Sequence, residues 1–325
     1  MARSTGAFSH SRLLWIAEWH VRDETCQAAL ACLIDAIHAQ SFTSVWGDGG
    51  TSSSDGQFFR AGGHGEARAD HNAKYGSEPG VKFYTHVSDR YAPFHSKVIA
   101  ANASEAAHVL DGLLHHESSI DIREHDTDTA GAIDHVFGLC HLLGFRFAPR
   151  IRDLADRRLY VVGARAAYRA LDPLIGGTID VRVIAENWDE ILRLTASIKA
   201  GIVAPSGILR RLAAYPRQNA LAKSLTFENQ RYRTSGLNLA VAAIILWNTV
   251  YLGRAVDELR SRGEIVSDEL LAHVAPLGWE HIAFNGDYVW PAEPLWKRLQ
   301  TTTNSNSQRR IPRQPLAYDL EQILR

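Results

Sequence analysis

The sequence of 325 residues carries almost no net charge and very little cysteine. Its formal net charge of −1 argues against a nucleic-acid-binding protein that is basic over its whole surface. The three cysteines, Cys26, Cys32 and Cys140, form neither a Cys-x-x-Cys pair nor an even-numbered set. This pattern predicts a reduced, cytoplasmic setting.

Long apolar runs, a secretion signal and helically paired histidines are also lacking. The longest apolar run, residues 237–247, has eleven residues and is too short to cross a bilayer. The N-terminus does not show the charged-then-apolar pattern of a signal peptide. The pairs His115 and His116, and His135 and His141, do not have the i, i+4 spacing of zinc ligands on a helix. We therefore predict a soluble cytoplasmic protein that contacts no membrane.

The charge that is present is distributed unevenly along the chain. Residues 101–140 hold eight acidic residues against Arg123, whereas residues 141–170 hold seven arginines against Asp153 and Asp156. An acidic centre beside an arginine-rich flank suits a cation-dependent site that acts on a polyanion. The alternative is that both stretches are ordinary solvated faces, which is the more frequent origin of charge runs.

Residue patterns predict helices at the start of the chain and then several strands. Residues 1–42 are typical of helices, and Thr43-Ser-Val-Trp46 is rich in β-forming residues. The Gly/Ser-dense stretch from there to Gly56 predicts a turn with strands on either side. Residues 81–87 and 94–99 are predicted strands that a short polar turn connects.

The most acidic stretch, residues 124–134, is predicted to join a strand to a helix. Residues 119–123 alternate as a half-buried strand does, and apolar residues recur at helical spacing over 132–143. A short strand at 145–147 and a more helical, basic region at 150–226 follow. A long helix is predicted from about residue 227 to residue 262, and the tail beyond residue 290 is predicted to be loosely ordered.

Four carboxylates stand out as candidate ligands for divalent cations. Cutting or joining phosphodiesters needs two cations roughly 4 Å apart, held by a few carboxylate oxygens. One of Asp48 and Asp55, together with Asp128 and Glu228, would supply these oxygens. From the residues alone, other roles remain open: Asp55 can form a turn, Asp128 can cap a helix, and Glu228 can complement a helix dipole.

Several motifs resemble those of one protein family, the Tn3 family of bacterial transposases. The similarity extends from about residue 13 to residue 290, in the same order. The motifs are Gly47-Asp-Gly-Gly-Thr-Ser-Ser-Ser-Asp-Gly-Gln57, Phe83-Tyr-Thr-His-Val-Ser-Asp89, Thr127-Asp-Thr-Ala-Gly131, His141-Leu-Leu-Gly-Phe-Arg-Phe-Ala-Pro-Arg-Ile-Arg-Asp153, Ala214-Tyr-Pro-Arg-Gln-Asn219, Arg231-Tyr-Arg-Thr-Ser-Gly-Leu-Asn238 and Pro276-Leu-Gly-Trp-Glu-His-Ile282.

The resemblance implies an α/β fold, with a ribonuclease-H-like mixed sheet flanked by helices and a mainly helical insertion before the last catalytic helix. It implies the C-terminal, catalytic part of a DDE transposase, which uses two Mg²⁺ ions, or Mn²⁺ as a substitute, to nick transposon ends and join them to target DNA. Asp128 would be the second acid and Glu228 the third. Asp55 is the preferred first acid, with Asp48 as its rival.

The resemblance also implies DNA contacts and a division of the chain. Residues 1–42 would be an N-terminal helical segment, residues 43–262 the catalytic domain with its insertion at about 150–226, and residues 263–325 a C-terminal helix and tail. The arginines that would contact the DNA backbone are Arg146, Arg150, Arg152, Arg231 and Arg233.

The chain also departs from the family pattern. Members are several times longer, the join between residues 220 and 228 is shortened, and Gly50 and Asp126 replace an expected Thr and Tyr. These departures predict a truncated copy.

We therefore expect a transposase catalytic fragment that acts on DNA, alone as a homodimer or together with full-length transposase. The first alternative is an inactive remnant that only binds DNA or interferes with full-length transposase. A hydrolase of a small phosphorylated substrate is disfavoured, because a Walker or Rossmann glycine motif is lacking.

Overall fold

A computed structural model describes residues 9–60, 70–72, 74, 76, 79–153, 156–214 and 228–276. For residues 70–71, 213–214 and 228–234 it describes the backbone and not the side chains. Two helices open the described chain, α1 (His10–His20) and α2 (Asp23–Ala39). The side chains of Leu30, Ile34 and Ile37 on α2 are buried, as their helical spacing predicts.

A mixed sheet follows these helices. Its strand order is β2-β3-β1-β5-β6, and β4 pairs with β3 along the edge opposite β1, beyond the short β2. β1 is antiparallel to β3 and parallel to β5, while β5 is parallel to β6. The strands are β1 (Thr51–Arg60), β2 (Asp70–His71), β3 (Pro79–Ser88), β4 (His95–Ala100), β5 (Glu124–Thr127) and β6 (Arg146–Phe147).

Short helices connect the strands and cover one face of the sheet. A 3-10 helix (Glu105–His108) and α3 (Val109–Leu114) lie between β4 and β5. A 3-10 turn (Thr129–Gly131) and α4 (Asp134–Leu143) lie between β5 and β6. The predicted mixed sheet flanked by helices is thus confirmed, and its strand order is consistent with a ribonuclease-H-like core.

Three local predictions were wrong. The Gly/Ser-dense stretch predicted as a turn forms much of β1, because pairing with β3 and β5 on both sides overrides the turn preference of serine and glycine. The predicted β-structure at residues 43–46 is a 3-10 helix, Ser41–Val45. The strand expected at residues 119–123 begins later, at Glu124, where the backbone enters the ladder with β1.

Residues 156–214 mix strands with helices. Two strands, β7 (Leu159–Val162) and β8 (Ile175–Ile179), form a parallel sheet, and a 3-10 segment (Arg165–Leu174) connects them. The helices α5 (Val181–Glu186), α6 (Trp188–Lys199) and α7 (Pro205–Ala214) follow. This region contains more β-structure than the mainly helical insertion that we predicted, and its status as an insertion stays a prediction.

The long helix α8 (Glu228–Ser261) has nearly the bounds that were predicted. It packs on α2 and β4. Its buried Ala242, Ile245 and Leu246 belong to one apolar core that includes residues of α2, the sheet and α3. Residues 235–261 are long and apolar enough to cross a membrane by length and composition. Because this stretch contributes to the core, we interpret it as a core helix. A four-residue helix, α9 (Asp268–Leu271), follows.

Candidate functional site

The register of β1 and β5 brings two of the predicted acids together. Ser53 pairs with Asp126 and Ser54 with Thr127 in the parallel ladder, so Asp55 and Asp128 are the next residues in the same register. Neighbouring strands lie roughly 4.8 Å apart. Asp55 and Asp128 therefore occupy adjacent positions, and both side chains are exposed.

Asp55 lies on a strand rather than in a turn. Along β1, Ser52 and Ser54 are buried while Ser53 and Asp55 are exposed, as the alternation of a half-buried strand requires. The Asp55 Oδ1 atom accepts a hydrogen bond of 2.7 Å from the backbone N–H of Gly56. An open groove runs over this face, lined by residues of β1 and by Phe83, Thr85 and Val87 of β3.

Asp128 caps the 3-10 turn that follows β5. Its Oδ1 atom accepts a hydrogen bond of 2.9 Å from the backbone N–H of Ala130. The capping role proposed from sequence is therefore present, but the capped element is the turn Thr129–Gly131 and not the helix α4. A cap uses one carboxylate oxygen, so capping and cation binding are compatible at this residue.

Asp48 lies at the opposite end of the paired strands. Its carboxylate forms an exposed ion pair with Arg123, with an Oδ2–Nη2 distance of 2.7 Å, and accepts a hydrogen bond from the N–H of Gly50. The Gly50 hydrogen bond and the nearby Arg123 hold the pKa of Asp48 below its usual range. Asp48 precedes Thr51, the first residue of β1, and Asp55 lies roughly 13 Å further along that strand than Thr51. The structure therefore brings Asp55, and not Asp48, next to Asp128.

Glu228 is the first residue of α8, but its side chain lies outside the part that the structure describes. The same holds for the side chains of Arg231 and Arg233. Further along the helix, the Ser235 hydroxyl donates a hydrogen bond to the Asp23 carboxylate. The Asn238 side chain donates to the Pro93 carbonyl over 2.9 Å. The role of Glu228 as third acid stays a prediction.

The arginine-rich segment continues the sheet beside the second acid. Backbone hydrogen bonds extend from β6, with the Arg150 N–H donating to the Thr127 carbonyl over 2.7 Å. In the register of β5 and β6, this ladder places Arg150 next to Asp128. Arg146 forms an exposed ion pair of 2.9 Å with Glu124, and Arg152 is also exposed. A positive edge thus borders the two acids.

Asp126 occupies the same face of β5, two residues before Asp128 and opposite Ser53. Burial raises its pKa, the charge of Glu124 raises it further, and Arg150 opposes both effects. Its carboxylate adds negative charge beside Asp55 and Asp128. Among the described residues, however, three His, Cys, Asp or Glu side chains do not converge closely enough to hold a metal ion.

Sequence patterns missed a buried polar network on the opposite face of the sheet. His125 is fully buried, and its two ring nitrogens lie 2.7 Å from the Ser52 hydroxyl and 2.8 Å from the Ser54 hydroxyl. The Tyr84 hydroxyl lies 2.6 Å from that of Ser54. The only signal in the sequence is the run of hydroxyl residues from Thr51 to Ser54, which alone does not identify a partner 71 to 73 residues away.

A buried ion pair lies close to Gly56, the residue after Asp55. Lys82 Nζ lies 2.8 Å from Glu105 Oε1, and both side chains are buried. A Cβ atom on Gly56 would lie 2.6 Å from that carboxylate oxygen. Glycine is therefore required where β1 passes over Glu105.

Comparisons with known proteins show which family this chain resembles. The family model of the Tn3 transposase DDE domain matches residues 1–227 and 224–288. The chain is 48% identical over 343 positions to the transposase for transposon Tn501 of Pseudomonas aeruginosa. It is 47% identical to that for Tn21 of Escherichia coli and 36% identical to that for Tn1546 of Enterococcus faecium. These alignments include 89 to 91% of this chain but 35% of each relative, so the chain spans about a third of their length.

The same alignments leave part of each relative unmatched within the aligned range. The Tn501 alignment has 343 positions, whereas 89% of this chain amounts to about 289 residues. The Tn1546 alignment has 348 positions for about 296 residues. In both cases about fifty positions of the relative lack a counterpart here. The two matched segments of the family model meet at residues 224–227, directly before Glu228, which agrees with the shortened join noted in the sequence.

Proposed function

Because this chain belongs to the family of Tn3 transposase DDE domains, we propose that it is a transposase catalytic unit that nicks and transfers DNA strands with divalent cations. The observation that carries this proposal is the register of β1 and β5, which makes Asp55 and Asp128 the next pair, both exposed, beyond Ser54 and Thr127. The proposed catalytic domain comprises residues 43–262 on a ribonuclease-H-like core, with 1–42 and 263–325 as flanking segments.

The donor atoms fit the cations that such chemistry requires. Mg²⁺ and Mn²⁺ prefer carboxylate oxygens, and two exposed aspartates on neighbouring strands supply them. Asp55 and Asp128 would hold the ions, with Glu228 as the proposed third ligand. When bound, such ions activate the attacking oxygen and stabilise the leaving oxygen of the phosphodiester.

The residues of this chain would orient the DNA for that reaction. Arg150 lies beside Asp128, so its guanidinium would bind a backbone phosphate next to the acids. Arg146 and Arg152 extend the same positive edge, and Arg231 and Arg233 would add contacts from α8. Water, and then a DNA 3′-hydroxyl, would be the nucleophiles, without a covalent protein–DNA intermediate.

A nicking assay tests the proposal. Purified protein is incubated with supercoiled DNA and Mg²⁺ or Mn²⁺, alongside the variants Asp55→Ala, Asp128→Ala and Asp48→Ala. We expect nicked circles from the wild type and from Asp48→Ala, since Asp48 lies at the other end of the strands, and none from the other two. Nicking that survives Asp128→Ala overturns the proposal. Glu228→Gln in the same assay decides whether this residue is the third acid.

The shortened join before Glu228, together with the roughly fifty positions of each relative that lack a counterpart here, supports a second candidate function. In this candidate the third carboxylate is missing, and the chain binds DNA without cutting it or interferes with a longer transposase. The expected result is salt-sensitive DNA binding without nicking, even in Mn²⁺. Added to a longer family member, the chain would lower strand transfer, and the absence of both effects would exclude this candidate.

The proposed partners and location follow from the same chemistry. The partners are transposon ends and target DNA, and either a second copy of the chain or a full-length transposase. The proposed location is the cytoplasm, on the nucleoid when the protein is bound to DNA.

A further inference from the structure

The imidazole of His125 bridges two hydroxyls of the neighbouring strand. Nδ1 lies 2.7 Å from the Ser52 Oγ atom, and Nε2 lies 2.8 Å from the Ser54 Oγ atom. All three side chains are buried. A single ring therefore connects β5 to two successive inward positions of β1, directly before the register position of Asp55 and Asp128 on the outer face.

The hydrogen bonds of this bridge form a continuous chain. The Tyr84 hydroxyl lies 2.6 Å from Ser54 Oγ, which lies 2.8 Å from Nε2 of His125. With Ser52 donating to the Glu124 carbonyl 3.5 Å away, one consistent assignment has Nδ1–H donating to Ser52 and Nε2 accepting from Ser54. A neutral imidazole, with one donor and one acceptor, fits this chain. Burial and the neighbouring His86 lower the pKa of His125 to about 2, which keeps the ring neutral.

The bridge fits a single register of the two strands. The inward-facing positions of β1 and of the residue before it are Gly50, Ser52, Ser54 and Gly56. A slip of two residues would place one ring nitrogen opposite a glycine, leaving a buried polar atom without a partner. A slip of one residue would turn every side chain of β1 to the other face, including Asp55.

Packing holds the ring in this position. His125 stacks against His86 of β3, with ring centroids 5.3 Å apart, and against Phe147 of β6 at 6.5 Å. The small side chains of Ser52 and Ser54 leave room for the ring over β1. The backbone of a Ser-rich strand specifies its register only weakly, so these side-chain contacts supply the missing specificity.

We propose that His125 is a positioning residue that sets the register of β1 against β5 and thereby places Asp55 beside Asp128. Its meaning for catalysis rests on the proposed function, whereas its effect on strand register does not. The Ser52 and Ser54 hydroxyls act with it as the hydrogen-bond partners on β1.

Cation affinity measures the first consequence. The concentration of free Mn²⁺ is followed by electron paramagnetic resonance during titration of wild type, His125→Phe, the double variant Ser52→Ala/Ser54→Ala, and the triple variant. His125→Phe keeps an aromatic ring but removes both hydrogen bonds. We expect affinity to fall about ten-fold or more in His125→Phe and in the double variant, as for other residues that orient metal ligands. The triple variant should lose no more than either, because all of these changes break one device.

A matched control separates this role from general damage to the core. His95→Phe makes the same change at another histidine of the sheet, on β4, whose Nε2 atom has no hydrogen-bond partner among the described residues. We expect its Mn²⁺ affinity to stay within about two-fold of the wild type, because register is untouched. Unchanged affinity in His125→Phe, or losses that add up in the triple variant, would overturn the proposal. If His125→Phe fails to fold, the double variant carries the test.

Amide hydrogen exchange measures register without any cation. Peptides that include β1 and β5 should exchange about ten-fold faster in His125→Phe and in the double variant than in His95→Phe. If the wild type binds no Mn²⁺, the proposed function fails, and exchange alone then judges the register. Equal exchange rates in the wild type, His125→Phe, the double variant and His95→Phe would overturn the positioning role.

Discussion

Asp48 and Arg123 form an ion pair of 2.7 Å at the end of the β1–β5 strand pair that is opposite to Asp55 and Asp128. Both partners are exposed, so the pair contributes little to stability. Its importance is positional, because it assigns Asp48 to an arginine and leaves Asp55 as the acid beside Asp128.

Replacing the two rival acids should therefore have unequal effects on cation binding. Asp55→Asn removes a charged ligand and should lower Mn²⁺ affinity by about ten-fold or more, whereas Asp48→Asn should leave it unchanged. Both changes keep the size of the side chain. Titration of each variant with Mn²⁺ provides the measurement, and an equal loss in both variants would contradict the register-based choice.

The close approach of Gly56 to Glu105 predicts a site-specific cost. In Gly56→Ala the new Cβ atom would lie 2.6 Å from Glu105 Oε1, which the buried Lys82 holds in place. We expect the free energy of unfolding to fall by about 1–3 kcal/mol, as for other overpacked sites. Gly138→Ala on α4 is the control, since its Cβ would meet nothing within 4 Å. Denaturant titration should show that variant to be about 0.5–1 kcal/mol more stable. Equal stability of the two variants would contradict this prediction.

Buried histidines predict a loss of stability in mild acid. Burial lowers the pKa of His86 to about 4 and that of His95 to about 3, and His125 is lower still. The same residues in the unfolded chain bind protons near pH 6.5, so the unfolded state takes up more protons as pH falls. The contribution of these histidines to stability should therefore be greatest above pH 6.5, and the free energy of unfolding should fall as the pH drops below that value. Each residue should remove up to about 1.4 kcal/mol per pH unit between its unfolded and folded pKa.

Urea denaturation at pH 7, 6 and 5 measures this dependence. The variant His125→Phe should show a shallower decline, because one of the groups that gain protons on unfolding is gone. A free energy of unfolding that stays constant over this range would show that the three rings are not shielded from water as the fold implies.

The arginine edge predicts a graded effect on DNA affinity. Arg150→Gln should weaken binding to all sequences and reduce the slope of log affinity against log salt by about one, the loss of one phosphate contact. Arg165→Gln is the matched control, because Arg165 is paired with Asp172 at 2.6 Å and lies away from the acids in sequence. Fluorescence anisotropy with labelled duplex DNA at several salt concentrations distinguishes the two variants. A slope that does not change in Arg150→Gln would place the DNA elsewhere.

β3 and β4 were predictable because both are rich in β-forming residues and a short polar turn separates them. β1 was missed because serine and glycine favour turns locally, and its strand character comes from partners on both sides. The start of β5 was misplaced because residues 119–123 alternate as a strand does without pairing to β1.

The candidate site divides in the same way. Motif similarity predicted Asp128 and preferred Asp55 over Asp48 as the first acid, and the pairing of Ser54 with Thr127 adds a structural reason for that preference. That pairing joins residues far apart in sequence, which no local pattern encodes. The role of His125 was missed for the same reason, since a buried histidine and two serines carry no signal until the strands are aligned.

The packing of α8 on α2 has a consequence for how the protein emerges from the ribosome. Ser235 on α8 bonds Asp23 on α2, a separation of 212 residues. The sheet is complete once Phe147 has been made, but Leu30, Ile34 and Ile37 must wait for their partner helix. At synthesis rates of roughly 5–20 residues per second, that wait lasts roughly 10–40 s. During it, the apolar stripe of α2 lacks the helix that packs on it in the folded protein.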